Sequence, residues 1–149
     1  MHKINIVKIR LVKDNKHEYR KDALDTPKDV ASFVRKLLHN IDREVFGVIN
    51  IDASNKINSV NFVSTGSLSS TLTHPREVFK SSILANAVSM ILFHNHPSGR
   101  VNYSQDDLEV TKLLVKSGEI LGIKVLDHVI VGEEAFLRVS EEGLLDGRK

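Results

Sequence analysis

Between Met90 and Asp107 the chain changes character twice, and that change limits what it can fold into. The apolar run Met90-Ile91-Leu92-Phe93 leads straight into His94-Asn95-His96-Pro97-Ser98-Gly99, and Ser104-Gln105-Asp106-Asp107 follows shortly after. A short apolar run bounded by turn signals reads as a buried strand. In an extended strand, side chains i and i+2 point to the same face. His94 and His96 can therefore aim both imidazoles at one point where the strand ends. Pro97 and Gly99 force a turn. Ser104 reads as a helix N-cap, which puts Asp107 in the first helical turn. The stretch is a β-loop-α unit. If the helix start folds back toward the strand end, two nitrogens and one carboxylate oxygen converge, and three protein ligands with one open position is the pattern of a catalytic zinc site. Each half also has a plainer reading. His-x-His occurs in surface loops, and Ser-x-x-Asp is a capping box in which Ser104 accepts an amide hydrogen bond and Asp107 returns one. The combination on one scaffold favours the metal.

The rest of the chain supplies an α/β frame for this unit. Ile4 to Val12 is rich in β-branched residues and predicts a strand, with Asp14-Asn15-Lys16 as a turn and His17 to Arg20 as a short hairpin partner. Thr26-Pro27 opens a helix whose Val30, Phe33, Val34, Leu37 and Leu38 share one face. Val45 to Asp52 reads as a strand covered on both faces, and Ile57 to Thr65 as its antiparallel partner, with a loop over Gly66 to Ser70. A helix begins near Pro75 and buries Val78, Phe79, Ile83, Ala87 and Val88. Ser104 to about Leu121 is a helix ended by Gly122. Lys124 to Val131 and Ala135 to Val139 are strands, and Ser140 to Gly143 begins a short terminal helix or tail. Repeats and linkers are absent, so the 149 residues predict a single packed unit.

Composition narrows the chemistry. There are no cysteines, which excludes disulfides, cysteine nucleophiles and thiolate metal sites. Any metal must be held by His, Asp, Glu and water, and neutral imidazole with carboxylate suits zinc. No apolar run approaches the roughly 18 residues of a membrane span, and Met1-His2-Lys3-Ile4-Asn5 does not begin a signal peptide. The expectation is a cytoplasmic protein with no membrane partner. A net charge of +2 permits nucleic-acid binding without arguing for it. The basic residues from Lys3 to Lys21 read as a solvated edge strand, because lysines discourage edge pairing.

Three separated motifs carry a resemblance. His94-x-His96 with Ser104-x-x-Asp107 resembles the signature of the JAB/MPN+ (JAMM) metallohydrolases. His74-Pro75-Arg76-Glu77-Val78-Phe79-Lys80, His94-Asn95-His96-Pro97-Ser98-Gly99 and Leu126-Asp127-His128-Val129-Ile130-Val131-Gly132 together resemble their bacterial RadC branch. The resemblance covers roughly Pro27 to Ser140. It implies an α/β fold with a mixed β-sheet flanked by helices, of JAB/MPN, cytidine-deaminase-like architecture. It divides the chain into an N-terminal β-strand extension over 1–26 and a RadC-like domain over 27–149. Full-length RadC proteins usually carry an N-terminal helix-hairpin-helix region associated with DNA, and residues 1–26 are too short for one. The resemblance also implies Zn2+ as cofactor, His94, His96 and Asp107 as its ligands, and a glutamate facing the water at the metal. The matching position is Glu44. Glu44 would be the general base, Ser104 would hydrogen-bond the oxyanion, and the substrate would be a peptide or protein amide. The alternative is a DNA-associated accessory module with a structural metal. Glu77 is the rival to Glu44, but an acid in a first helical turn is favourable to the helix dipole without catalysis. His74 and His128 could support the metal ligands from behind, but a packed or N-capping histidine is the plainer reading of each.

Overall fold

The computed structural model describes residues 1–20, 23–66, 73–97 and 99–143. Helix α1, Pro27–Leu37, starts where the sequence asks for it: Thr26 Oγ1 accepts from the Asp29 amide at 3.1 Å, and Asp29 Oδ2 accepts from the Thr26 amide at 3.0 Å. Two orphan donors of the first turn are satisfied reciprocally. Strands β1 (Val45–Ile51) and β2 (Ile57–Thr65) form an antiparallel pair. Helix α2, Pro75–Leu84, leads to β3, Ser89–Asn95. Helix α3, Gln105–Leu121, crosses over to β4, Lys124–Val131, and a short β5, Phe136–Arg138, ends in a 3₁₀ turn over Val139–Glu142.

The sheet runs β2-β1-β3-β4-β5 and is mixed, as expected: β3 and β4 are parallel, and the other neighbours are antiparallel. β1 and β3 lie at its centre and are buried along their whole length. Alternate residues divide between two cores. Val45, Ile49, Ile51, Ile91 and Phe93 pack with α1. Phe46, Val48, Met90 and Leu92 pack with Val78 and Phe79 of α2 and Leu114 of α3. His94 follows Met90 and Leu92 by the period of two, so it belongs to the α2/α3 face.

Two expectations change. Residues 1–19 have neither helix nor strand, so the N-terminal hairpin over Ile4 to Arg20 is not formed. β-branched residues make a strand only when a ladder partner is present, and Ile6 stands 99% exposed. Only Tyr19 is anchored, edge-on against Phe33 at 4.7 Å between ring centroids. The helix after Pro75 is also shorter than its apolar pattern suggests. Asn86 takes a left-handed φ of 53°, which ends helical continuity, and leaves Ile83 and Val88 exposed at 52% and 46%. In their place Ser81 and Ser82 face the sheet, where Ser82 Oγ donates to Asn50 Oδ1 at 2.6 Å and Asn50 Nδ2 donates to Ser81 Oγ at 3.1 Å. The pairing satisfies polar groups whose burial alone would be costly. Beyond Gly66, the loop expected to Ser70 lies outside the described residues, as does Ser98.

Candidate metal centre

Four segments meet at the C-terminal end of β3. β3 supplies His94, fully buried, and the loop after it supplies His96. The N-terminus of α3 supplies Asp107, and the residue before β1 is Glu44. His94 Nε2 lies 3.1 Å from His96 Nε2 and 3.6 Å from Asp107 Oδ1. His96 Nε2 lies 3.7 Å from Glu44 Oε1. Donor atoms of Glu44, His94 and His96 all fall within 4.8 Å of one another, a group that could hold a metal ion. Asp107, expected as the third ligand, is not in that group; it touches it only at His94, through Oδ1.

The helix start reconciles two readings of Asp107. Its Oδ2 accepts from the Ser104 amide at 2.7 Å while Ser104 Oγ accepts from the Asp107 amide at 3.1 Å, a complete capping box. The other oxygen, Oδ1, is the one turned to His94. One carboxylate thus caps the helix and faces His94 at once.

The loop between β3 and α3 fixes His96. Its Nδ1 is 3.0 Å from the Arg100 carbonyl oxygen. A carbonyl can only accept, so Nδ1 carries a proton, and in the neutral ring Nε2 is the nitrogen with the lone pair. The His96 amide donates to Val131 O and the Gly99 amide to His96 O, each at 3.0 Å. The turn needs two glycines. Gly99 has φ +80°, and a Cβ on Gly132 would come within 2.6 Å of Gly99 O. The last residue of the Leu126 to Gly132 motif is therefore there to let the His96 loop lie against β4.

Asn95 points to the opposite face, as its place between the histidines requires, and does other work there. Its Oδ1 accepts from the Val45 amide at 2.7 Å, and its Nδ2 donates to the Arg43 carbonyl at 3.1 Å. These are the two groups flanking Glu44, so β3 grips the backbone that carries Glu44 at the strand mouth. Glu44 itself remains about one third open, its side chain 31% exposed.

Burial pushes the His94 pKa down to about 4; Asp107 pulls it up and His96 pushes it further down. Burial likewise holds His128 well below the ordinary histidine value, with His94 and His96 acting in the same direction. The buried rings are neutral imidazoles at neutral pH, which is the form that binds metal. The donor set fits zinc. Bonds of about 2.0–2.1 Å in a tetrahedron require ligand atoms roughly 3.3 Å apart, and the 3.1 and 3.6 Å separations at His94 Nε2 bracket that edge.

Other residues singled out in the sequence lie elsewhere. His74 is the N-cap of α2, its Nδ1 accepting from the Arg76 amide at 3.1 Å. Glu77 pairs with Lys80 at 2.9 Å on the surface, and that hydrogen bond lowers its pKa. Asp127 ties β4 to the chain's last turn, accepting from Arg138 Nε at 2.7 Å and from Ser140 Oγ at 3.2 Å. His128 reads differently from a packed histidine: its Nε2 is 2.7 Å from His94 Nδ1, and its Nδ1 is 2.6 Å from Thr111 Oγ1. Sequence reasoning missed Thr111 altogether. Its one signal is its place four residues after Asp107, on the same face of α3.

Comparison with known proteins shows the family. Residues 24–144 match the family described as RadC-like JAB domain. A UPF0758 protein of Rubrobacter xylanophilus is 48% identical over 122 residues, 82% of this chain and 53% of its own length. A UPF0758 protein of Desulfitobacterium hafniense is 43% identical over 122 residues, 82% of this chain and 54% of its own length. One from Caldanaerobacter subterraneus is 44% identical over 124 residues, 83% of this chain and 53% of its own length. The chain spans about half the length of the curated relatives it matches.

Proposed function

The chain belongs to the RadC-like JAB domain family, and from that premise we propose that it is a zinc-dependent hydrolase of peptide or isopeptide amides. The supporting observation is the position of Glu44: a carboxylate about one third open, 3.7 Å from His96 Nε2, beside the buried His94. A metal held for structure alone has no use for an acid aimed at its open side.

His94 and His96 through Nε2 and Asp107 through Oδ1 would hold the zinc. When bound, the metal would acidify a water and polarise the scissile carbonyl. Glu44 would act as the general base, accepting a proton from the attacking water as the water's oxygen bonds the carbonyl carbon. It returns the proton to the amine nitrogen as the carbon–nitrogen bond breaks. Ser104 uses an oxygen lone pair to cap α3, so its hydroxyl proton can be donated to the developing oxyanion. Asn95 holds Glu44 in place from behind.

Purified protein should contain about one zinc per chain, and His96→Ala should lose it. Unchanged metal content in that variant would show that the ligand assignment is wrong. Zinc bound without chelator-sensitive cleavage of any amide substrate would remove the hydrolase reading. One observation favours a second reading, a DNA-associated module. Lys3, Lys8, Arg10, Lys13, Lys16 and Arg20 all lie on an exposed segment. Binding through them would fall steeply with salt; weak binding that is flat across salt would count against it.

A further inference from the structure

The geometry points to His128 and Thr111 as positioning residues that fix the tautomer of His94 and so keep its Nε2 lone pair turned to the metal. The inference rests on the metal-site reading above. The direction of each hydrogen bond in the chain follows from the one before it.

Thr111 Oγ1 lies 2.7 Å from the Asp107 carbonyl oxygen. That oxygen can only accept, so the single hydroxyl proton of Thr111 is committed to it. Toward His128 Nδ1, 2.6 Å away, Thr111 Oγ1 has only a lone pair left, and His128 Nδ1 must carry a proton. His128 is 1% exposed, and its ring nitrogens meet His94 and Thr111 and no carboxylate among the described residues; the Asp127 carboxylate takes the His128 backbone amide instead. His128 is a neutral ring, and its Nε2 is bare. Across 2.7 Å, His94 Nδ1 therefore donates to His128 Nε2. The other nitrogen of His94 is left without a proton.

Without this relay the 3.1 Å contact between His94 Nε2 and His96 Nε2 could close as an ordinary hydrogen bond, with the proton on His94 Nε2 and no lone pair there for a metal. The relay forbids that arrangement. The Arg100 carbonyl holds the His96 proton on its far side in the same way. With both rings neutral, two bare nitrogens face each other, and a cation between them removes the repulsion. The relay begins at the backbone of Asp107, so one hydrogen-bonded chain links two of the three proposed ligands. Ligating histidines are commonly oriented by such outer partners.

The test uses long-range 1H–15N spectra of the metal-free, 15N-labelled chain, with zinc affinity measured by chelator competition. The parent should show His94 and His128 both protonated on Nδ1. Thr111→Val keeps the shape and removes the oxygen. It should move both rings toward mixed or Nε2–H tautomers and weaken zinc binding by about 10–100-fold. Thr111→Ser should restore the parent's spectra and affinity, which a role in packing alone would not require. A proton on His94 Nε2 in the parent overturns the inference. So does Thr111→Val with parental spectra and parental affinity. A parent that binds no zinc overturns the metal-site reading instead, and the metal-free spectra still decide the relay on their own.

Discussion

At the scale of single residues, Glu44 and Glu77 separate by their surroundings. Glu77 is held by Lys80 on the surface of α2, whereas Glu44 faces the histidine pair with its backbone clamped by Asn95. Glu44→Gln keeps shape and reach but cannot take a proton. It should fold, bind zinc as the parent does, and lose hydrolysis by roughly a hundredfold or more. Glu77→Gln should keep nearly full activity. The exchange of those two results would exchange the two roles. The buried histidines make a second, pH-dependent prediction. His94 has a folded-state pKa near 4, below the ordinary 6.5. Between those values the unfolded metal-free chain binds more protons than the folded one, so stability falls as pH drops from about 6.5 toward 4. Burial of His128 as a neutral ring acts in the same direction. Chemical denaturation of the metal-free protein at pH 7.5, 6 and 5 should show midpoints that decrease in that order. Level midpoints would mean that the histidines are not buried as neutral rings.

At the scale of elements, the frame of the site was legible and its support was not. β3, the turn after it and the cap of α3 follow from residue types at local spacing: an apolar run, Pro97 and Gly99, then Ser104. His128 could not be placed the same way. β4 pairs Met90 with Val125 but Ile91 with Asp127, so one extra residue is inserted at that step. A bulge of this kind turns the following side chains to the opposite face. It sets His128 on the face of His94, and strand periodicity alone gives no sign of it. Asn95 was legible in direction but not in purpose, because its partners at Arg43 and Val45 are some fifty positions away and become neighbours only through sheet order. Helix α3 offers a test of its dual N-terminus. Asp107→Ala removes both the cap and the carboxylate, and should lose zinc along with about 1 kcal/mol of stability, or roughly 2–4 °C in melting temperature. Asp107→Asn retains an acceptor for the Ser104 amide, so its metal-free melting temperature should stay near the parent's while zinc binding weakens. If both variants bind zinc as tightly as the parent, Asp107 is a cap alone.

At the scale of the whole molecule, the two cores and the metal centre draw on the same stretch of chain. The α1 core and the α2/α3 core are built from residues between Tyr19 and Val131, together with Phe136. Among the described residues the candidate centre is made of Glu44, His94 and His96, with Asp107 against His94 and with Asn95, Thr111 and His128 behind them. Residues 1–18 add nothing to either core: all are exposed, and none is in a helix or strand. The sequence of Ile4 to Val12 nonetheless has the composition of a strand, and β2 and β5 each have one edge without a neighbour in the sheet. These two facts make opposite predictions for a chain trimmed to begin at Tyr19. If the described arrangement is the one in solution, the trimmed chain gives up essentially no buried apolar area, and therefore no stability of the kind that scales with it. Its melting temperature should fall within about 1 °C of the full chain's, and its zinc stoichiometry and affinity should be unchanged. Tyr19 is retained because its ring packs edge-on against Phe33 in the α1 core, and a further cut through it should lower the melting temperature where the first did not. A drop of several degrees on removing residues 1–18 alone would show the opposite, that the segment pairs with a sheet edge as its β-branched residues suggest.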